Sequence, residues 1–194
     1  TFINAGNMVD GANGLLAVTL NALFLSLFLI TQEVFLLLIL VSLLIFSIFN
    51  VITGRVMLGD FGAYIFSAFA ALTCLSVYSS YEISEWFFAA MLSYPCMEIV
   101  KTIFTRLRKG RSPLYYDNQH LHNLVYAFYT GLGLRSLIAN SLTGLSLAFV
   151  FSVVPMFLFI SEVLAEQDSS WIYVFIVQFL ILLSSQLWLR RYAR

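Results

Sequence analysis

The stretch VFLLLILVSLLIFSIFNVI, residues 34–52, decides the fold of this chain. It contains no charged residue, and its length matches the roughly 17–25 apolar residues that a helix needs to cross a bilayer. Lipid cannot hydrogen-bond to open backbone groups, so a long apolar run in a membrane has to be helical. The stretch therefore predicts a transmembrane helix.

Five further apolar segments predict an all-α, polytopic membrane bundle with six transmembrane helices. The composition favours the same class, because the chain is 61% hydrophobic and 10% charged, whereas soluble domains carry about 25% charged residues. The fourth segment contains Pro95, so we expect a kink there. The five segments are 14–30, 61–79, 86–104, 137–160 and 171–189.

The basic residues predict the orientation, because cytoplasmic loops are enriched in Lys and Arg. With residues 1–13 placed inside, all 10 basic residues fall on the inner side of the six-helix topology. The prediction is a single transmembrane domain over residues 1–194, with cytoplasmic loops at about 1–13, 53–60 and 105–136. These loops hold the unusual polar sequences, so a site should face the cytoplasm at the membrane surface.

The first polar sequence is NAGNMVDGANGLL, residues 4–16. Asn4, Asn7, Asp10 and Asn13 recur every three residues, and residues three apart lie close together on a helix. Asp10 at the mouth of an apolar helix is explained equally well as a cap for free backbone N–H groups. A cap does not explain the asparagines, whereas a polar ligand held by amides and a carboxylate would.

The second polar sequence is GDFG, residues 59–62, just before the third predicted span. Asp60 could again be a helix cap. A carboxylate beside two glycines at a membrane surface also suits a hard cation, since Mg²⁺ commonly takes one or two carboxylates together with substrate phosphates.

The third polar sequence is RLRKGRSPLYYDNQHLHNL, residues 106–124. Attraction to anionic lipid headgroups explains its basic residues. His120 and His122 are the two histidines of the chain, and they could bind a metal or donate hydrogen bonds to phosphate oxygens. Asp117 could orient one of them or bind a cation.

Taken together, the three sequences resemble the polyprenyl-phosphate N-acetylhexosamine-1-phosphate transferases. That family carries an N-x-x-N-x-x-D-G-x-[DN]-G-L element, to which residues 4–15 are similar. It also carries a G-D-x-G element, similar to residues 59–62, and an S-P-x-x-x-D-x-x-H-[IL]-H-H element, similar to residues 112–123. The resemblance covers residues 1–135, and the last two spans match only as hydrophobic helices.

The resemblance implies a reaction and its partners. The family transfers an N-acetylhexosamine 1-phosphate, GlcNAc 1-phosphate in the most similar group, from a UDP-sugar to polyprenyl (undecaprenyl) phosphate. UMP is released, and the product starts the synthesis of cell-surface polysaccharides such as O-antigen. The implied cofactor is Mg²⁺ (or Mn²⁺), the implied location is the bacterial inner membrane among its lipids, and no nucleic acid is involved. Family members often pair as homodimers, although nothing in these residues shows it.

The resemblance also implies roles for single residues. Asp10, Asp60, His120 and His122 become catalytic residues, with Asp60 as the metal ligand. The implied substrate-binding residues are Asn4, Asn7, Asn13, Lys109, Arg111 and Asp117. Three positions depart from the common pattern: Asn13 replaces a second Asp of some members, Asn118 an Arg of many, and Asn123 a further His of many.

Other interpretations stay open at this point. The chain begins downstream of the position at which family members carry an Asp-Asp motif, so we expect the C-terminal portion of a longer protein, without part of the active site. An inactive fragment and a non-catalytic scaffold are therefore alternatives to an enzyme. The peptidoglycan phospho-MurNAc-pentapeptide transferases are an alternative within the family. A membrane transporter is another, although transporters place charges near the bilayer midplane. Here the charges inside predicted spans are Glu98 and Lys101, both toward the inner end.

Overall fold

The structure is a computed structural model that describes residues 2–108, 110 and 120–192. Regular secondary structure in this part of the chain is entirely helical, which confirms the all-α class. The described residues form ten α-helices, and a π-helical turn, Phe149–Val153, lies between the eighth and the ninth. In chain order the helices are α1 Phe2–Val9, α2 Leu15–Thr31, α3 Val34–Thr53, α4 Gly59–Ser80, α5 Glu85–Met91, α6 Ser93–Arg108, α7 Leu121–Gly131, α8 Ser136–Ala148, α9 Val154–Ile160 and α10 Trp171–Tyr192.

Four helical segments of the described chain are long and apolar enough to cross a membrane. They are α3, α4, α10 and the continuous run Ser136–Ile160, which α8, the π-helical turn and α9 form together. α5 and α6 add a fifth span if this pair, bent by 82°, crosses as one. The protein is therefore a polytopic membrane bundle, but the predicted count of six spans is not confirmed.

The helix α2 accounts for the difference from six. It has 17 residues, the lower limit for crossing a bilayer, and at about 1.5 Å per residue it extends about 25 Å against the roughly 30 Å of a bilayer core. A helix that is apolar on every side is either a membrane span or buried within a protein, and Leu15, Leu20, Leu23 and Phe24 are completely buried. α2 packs against α3, α4 and α8 at the centre of the bundle. Its hydropathy therefore reflects its burial by protein.

The bend between α5 and α6 has a local cause in Pro95. Proline lacks an N–H, and its ring clashes with the carbonyl four residues earlier, so it is tolerated in the first turn of a helix but not beyond. Pro95 is the third residue of α6, and Leu92 lies at the break. The structure confirms the predicted kink at this segment.

The turn between α1 and α2 is fixed by side chains of two other helices. Gly14 has a positive φ of 80°, and its N–H donates to the Oδ1 of Asn50 at 2.6 Å. The N–H of Asn13 donates to the Oδ1 of Asn140 at 2.9 Å. α8 passes so closely that a Cβ atom at Gly144 would collide with the Asn13 carbonyl. The turn therefore holds the residues before it in a defined place.

Two stretches that hydropathy assigned to loops contain helices. α1 occupies most of residues 1–13, and α7 lies within residues 105–136. α7 has 11 residues, too few for a span, and its first turn is polar, so a search for long apolar runs could not reveal it. Its packing against α8 and α10 stabilises it, and the loop assignment is corrected for Leu121–Gly131.

The exposed connections at the two ends of the bundle differ in charge. Most of the described basic residues lie at the end where α3 stops and α4 begins, and we call this the basic end. At the opposite, acidic end, the backbone N–H of Ser84 donates to the carbonyl of Glu166 at 2.9 Å and so joins two connections. The basic end carries Arg55, Arg106, Arg108, Arg135, Arg190 and Arg191; the acidic end carries Glu33, Glu82, Glu85, Glu162, Glu166 and Asp168.

Candidate active site

A cleft of about 520 Å³ opens at the basic end of the bundle. Residues from α1, from the α1–α2 and α3–α4 connections, and from the starts of α4 and α7 and the end of α6 line it, so six stretches of the chain meet here. The lining residues are Asn7, Met8, Asp10, Gly11, Met57, Gly59, Asp60, Arg106, His120, His122 and Asn123.

One side of the cleft, the acidic wall, consists of Asp10, Gly59 and Asp60. The Oδ2 of Asp10 accepts a hydrogen bond from the N–H of Gly59 at 3.0 Å. Gly59 is the first residue of α4, and the first N–H groups of a helix have no partner within it. Asp10 is therefore a helix cap as one interpretation predicted, but it caps α4 and not the helix that follows it in sequence.

Asp60 differs from Asp10 in its surroundings. It lies in the first turn of α4 and is exposed to solvent. Among the described residues, no hydrogen bond or ion pair is made by its carboxylate. The acidic wall thus ends in a carboxylate whose oxygens are accessible to a ligand.

The two carboxylates influence one another. Burial raises the pKa of Asp10 to about 6, the Gly59 N–H opposes that rise, and the negative charge of Asp60 adds to it. A raised pKa means that the carboxylate lacks compensating positive charge. A cation bound between the two carboxylates would supply that charge.

The opposite side of the cleft, the histidine wall, consists of His120 and His122. Their rings are stacked, with centroids 5.4 Å apart and an interplanar angle of 10°. The Nδ1 of His122 lies 3.2 Å from the hydroxyl oxygen of Tyr94, and the same oxygen accepts the backbone N–H of His122 at 3.1 Å. The Nδ1 of His120 lies 3.1 Å from the Oε2 of Glu98. Both rings are therefore held through their Nδ1 atoms.

Glu98 is the centre of the support beneath this wall. Its side chain is fully buried, and a buried carboxylate needs hydrogen-bond donors on its oxygens. Oε2 accepts from Lys101 Nζ at 2.6 Å as well as facing His120. Oε1 accepts from the N–H of Leu121 at 3.0 Å and from the Nε2 of Gln186 at 3.2 Å. Three helices, α6, α7 and α10, thus meet at one carboxylate.

Burial and, to a smaller extent, the proximity of His120 lower the pKa of the His122 ring to about 4. This shift favours the neutral ring at physiological pH. A Cβ atom at Gly11 would lie 3.0 Å from its Nε2. The Nε2 of His122 therefore faces the α1–α2 connection across the cleft.

Comparison with known proteins finds curated relatives of one name. The chain is 32% identical over 136 residues to an undecaprenyl-phosphate α-N-acetylglucosaminyl 1-phosphate transferase of Escherichia coli K12, and equally to that of Shigella flexneri. It is 29% identical over 136 residues to the protein of the same name from Yersinia pestis. The chain is therefore similar over this region to polyprenyl-phosphate N-acetylhexosamine-1-phosphate transferases, which confirms the resemblance seen in its motifs.

The extent of this match is partial. In each of the three comparisons the matched region is 63% of this chain and 37% of the relative, so the chain spans well under half the length of the curated relatives it matches. No protein-family model matches the chain, and no solved structure matches it.

The structure divides the predicted site residues into three groups. Asp10, Asp60, His120 and His122, predicted as catalytic from three separate sequences, all line one cleft, and Asn7 lines it as well. Their individual roles stay predictions. Three others, Lys109, Arg111 and Asp117, lie outside the described residues.

Asn4 and Asn13 form the third group, because the structure places them outside the cleft. Asn4 is exposed on α1. Asn13 is buried, and its Nδ2 donates to the Oγ of Ser141 at 3.1 Å. Every third residue of the opening sequence was predicted to face a ligand, but the helix ends at Val9, and the following turn rotates Asn13 into the bundle. In this structure Asn13 stabilises the turn.

The residues beneath the cleft were largely missed by sequence reasoning. Glu98 was noticed as a charge inside an apolar segment, and an intramembrane carboxylate is a functional signal, but its link to His120 was not predicted. Tyr94 gave no signal beyond the aromatic content of its helix. Gln186 lies in α10, a region in which the family resemblance rested on hydropathy alone. Arg106, Met57 and Asn123 complete the lining.

The donor set fits a cation shared with a ligand better than a closed protein site. No group of three or more His, Cys, Asp or Glu side chains with metal-site geometry occurs among the described residues. Asp10 and Asp60 provide two carboxylates at the cleft surface. Mg²⁺ commonly binds through one or two carboxylates and completes its shell with water and phosphate oxygens. The predicted metal role of Asp60 is compatible with this arrangement.

Proposed function

We propose that the protein transfers an N-acetylhexosamine 1-phosphate, with GlcNAc as the first candidate sugar, from a UDP-sugar to undecaprenyl phosphate and releases UMP. The supporting observation is the convergence of Asp10 and Asp60 with His120 and His122 in one cleft at the basic end. The names of the curated relatives support the same chemistry. A lipid phosphate and a water-soluble nucleotide sugar can meet only at a membrane surface, and the cleft opens at the basic end, where the apolar helices α3 and α4 stop and begin.

In the proposed reaction one bond forms and one breaks. An oxygen of the lipid phosphate bonds to the phosphorus that carries the sugar, and the bond from that phosphorus to the bridging oxygen breaks. UMP departs with the bridging oxygen and its electron pair. Catalysis of such a transfer consists mainly of positioning and of electrostatic stabilisation. His122 and Arg106 supply hydrogen-bond donors at the cleft for phosphate oxygens, and Asn7 supplies an amide.

A divalent cation, Mg²⁺ or Mn²⁺, fits the acidic wall. Asp60 would hold it, with Asp10 beside it, and when bound it would offset the negative charge that accumulates as the phosphates approach. The protein's own part is to keep the two carboxylates together through the Asp10–Gly59 hydrogen bond.

A groove between α6 and α10 suits the isoprenoid chain. It has a volume of about 500 Å³, and its walls are almost entirely apolar. Lys101 lies in this lining and also donates to Glu98, so the groove adjoins the support of the histidine wall. Its lining residues are Cys96, Met97, Val100, Lys101, Phe104, Phe175, Phe179 and Leu183.

We further propose that the basic end faces the cytoplasm of a bacterial inner membrane. Cytoplasmic loops carry an excess of Lys and Arg, and nucleotide sugars are cytoplasmic substrates. The charges inside spans do not favour transport, because Glu98 and Lys101 pair with one another at 2.6 Å beneath the cleft.

An assay for the released nucleotide tests this function. The full-length protein that contains this chain is incubated in lipid nanodiscs with UDP-GlcNAc, undecaprenyl phosphate and Mg²⁺, and UMP and UDP are separated by chromatography. We expect UMP that requires both the lipid phosphate and the metal, and that disappears with EDTA or with Asp60→Ala. Glu82→Ala, which removes an exposed carboxylate at the acidic end, is the matched control and should retain activity. Release of UDP, or absence of UMP with every UDP-N-acetylhexosamine tried, would exclude the proposal.

A further inference from the structure

The hydrogen bonds of Tyr94 determine which nitrogen of His122 carries the proton. The Tyr94 oxygen accepts the backbone N–H of His122 at 3.1 Å, and its own hydrogen has no other acceptor among the described residues than the Nδ1 of His122, 3.2 Å away. A tyrosine hydroxyl donates one hydrogen, so Nδ1 accepts it. In a neutral imidazole the proton then lies on Nε2, and His122 presents an N–H donor to the cleft.

The contacts of His120 lead to the opposite assignment. Its Nδ1 faces the Oε2 of Glu98 at 3.1 Å, and an ionised carboxylate only accepts hydrogen bonds. Lys101, Leu121 and Gln186 also donate to Glu98, so both of its oxygens are surrounded by donors. The Nδ1 of His120 therefore carries the proton, and a neutral His120 presents an unprotonated Nε2.

We propose that the two cleft histidines are held in opposite tautomers, His122 as a hydrogen-bond donor and His120 as a proton acceptor, and that Tyr94, Glu98 and Gln186 are the positioning residues that set them. The roles toward a substrate rest on the proposed transferase function. Adjacent donor and acceptor nitrogens would let the histidine wall bind a phosphate oxygen at His122 while His120 takes a proton from a neighbouring hydroxyl or a protonated phosphate.

The contribution of Gln186 extends this assignment to α10. Gln186 is buried, and its amide donates to the Oε1 of Glu98 at 3.2 Å. Gln178, on the same helix, is equally buried, but its amide donates to the carbonyl of Phe151 at 3.1 Å, away from the histidines. The chain thus contains its own matched control, a second buried glutamine of α10 outside the site.

Nitrogen NMR measures the tautomers directly. The protein is labelled with ¹⁵N-histidine in lipid nanodiscs and recorded at about pH 9, well above the ordinary pKa of histidine. The ring-nitrogen signals of the two histidines are assigned with the variants His120→Gln and His122→Gln. We expect a protonated Nε2 and an unprotonated Nδ1 in His122, and the reverse in His120. The same tautomer in both rings would overturn the proposal.

Three variants then test the positioning residues. Tyr94→Phe keeps the ring but removes the hydroxyl, so it should convert the His122 signal to a mixture of tautomers and leave His120 unchanged. Gln186→Leu should shift the Nδ1 signal of His120 and lower kcat several-fold with little change in KM, whereas Gln178→Leu should alter neither. Equal effects of the two leucine variants, or an unaltered His122 in Tyr94→Phe, would contradict the assignment.

The spectra distinguish the two proposals. They are recorded without substrate, so opposite tautomers together with no UMP release would reject the transferase activity and keep the tautomer assignment. UMP release together with the same tautomer in both rings would reject the tautomer assignment and keep the transferase activity.

Discussion

The two walls of the cleft are built on different principles. The side chains of the histidine wall are buried, and their Nδ1 atoms are bound to Tyr94 and Glu98. The acidic wall is open: Asp10 is half-buried, and Asp60 is exposed. The protein therefore fixes the orientation of the side chains in the histidine wall. In the acidic wall the orientation of the carboxylates depends on the ligand that binds to them.

This difference suggests a division of labour. Groups that must keep one orientation through a reaction benefit from buried supports, because reorganisation during the reaction is avoided. Groups that exchange ligands in every cycle need accessible oxygens. Changes beneath the histidine wall should therefore disturb both folding and activity, and changes in the acidic wall should disturb ligand binding and activity alone.

The largest effect is expected for Glu98→Gln. Removing one partner of a buried ion pair leaves uncompensated charge, at a cost of about 3–5 kcal/mol. Here Lys101 loses its counter-charge, and the amide of the variant keeps one acceptor oxygen for the four donors around Glu98. Thermal unfolding in nanodiscs should show a strongly lowered midpoint together with loss of UMP release. Gln178→Leu is the reference for ordinary disruption of the bundle. If the Glu98→Gln protein were as stable as the parent, the buried support of the histidine wall would not contribute to folding, and the two walls would not differ in this respect.

Asp60→Asn should lower the rate of UMP release nearly as much as Glu98→Gln does, without affecting folding. The exposed Asp60 carboxylate makes no described contact that would stabilise the fold. The unfolding free energy of the protein should therefore change by no more than about 0.5 kcal/mol in this variant. Loss of a group that stabilises developing charge typically costs about 100-fold in kcat or more. Steady-state UMP release and thermal unfolding, measured on the same preparation, provide the comparison. Destabilisation equal to that of Glu98→Gln would show that the acidic wall is structural too.

The pH dependence of cation binding should identify Asp10. Its pKa is raised to about 6, so the carboxylate is charged above that pH and becomes neutral as the pH falls through it. Mn²⁺ affinity, measured by electron paramagnetic resonance without nucleotide, should fall by up to about tenfold per pH unit below about pH 6. In Asp10→Asn the affinity should be weaker, and its change with pH around 6 should be absent. If Mn²⁺ affinity still fell below about pH 6 in Asp10→Asn, the titrating group would be a residue other than Asp10.

The smallest effect is expected for a pair of asparagines on α1. Asn7 lines the cleft and donates to the Tyr64 hydroxyl at 3.3 Å, whereas Asn4 is exposed outside it. Asn7→Ala should raise the KM for the UDP-sugar several-fold, since one hydrogen bond contributes about 1 kcal/mol. Asn4→Ala should change KM by less than a factor of two. A larger effect at Asn4 would restore the sequence-based prediction that every third residue faces the ligand.

Much of the candidate site could be predicted from local sequence. The motifs around Asp10, Asp60 and His120 are short and contiguous, and each was assigned to the cleft side of the membrane by the pattern of basic residues. The six-span count is not confirmed at α2, because hydropathy measures the apolar character of a segment and does not report whether lipid or protein surrounds it. Asn13 was placed with Asn7 because the spacing assumed a helix that in fact ends at Val9.

The sequence by itself determined that this is a helical membrane protein, that its polar chemistry lies at the basic end, and which family it resembles. Hydropathy, charge and motif spacing are properties of short stretches of the chain, so they can be obtained from the sequence alone. Only the tertiary structure decided how the histidines are held, since the bonds from Glu98 to His120 and to Gln186 join residues 22 and 88 positions apart. A buried carboxylate has to collect donors from whichever helices pack around it, and that choice is made by the packing of α6, α7 and α10.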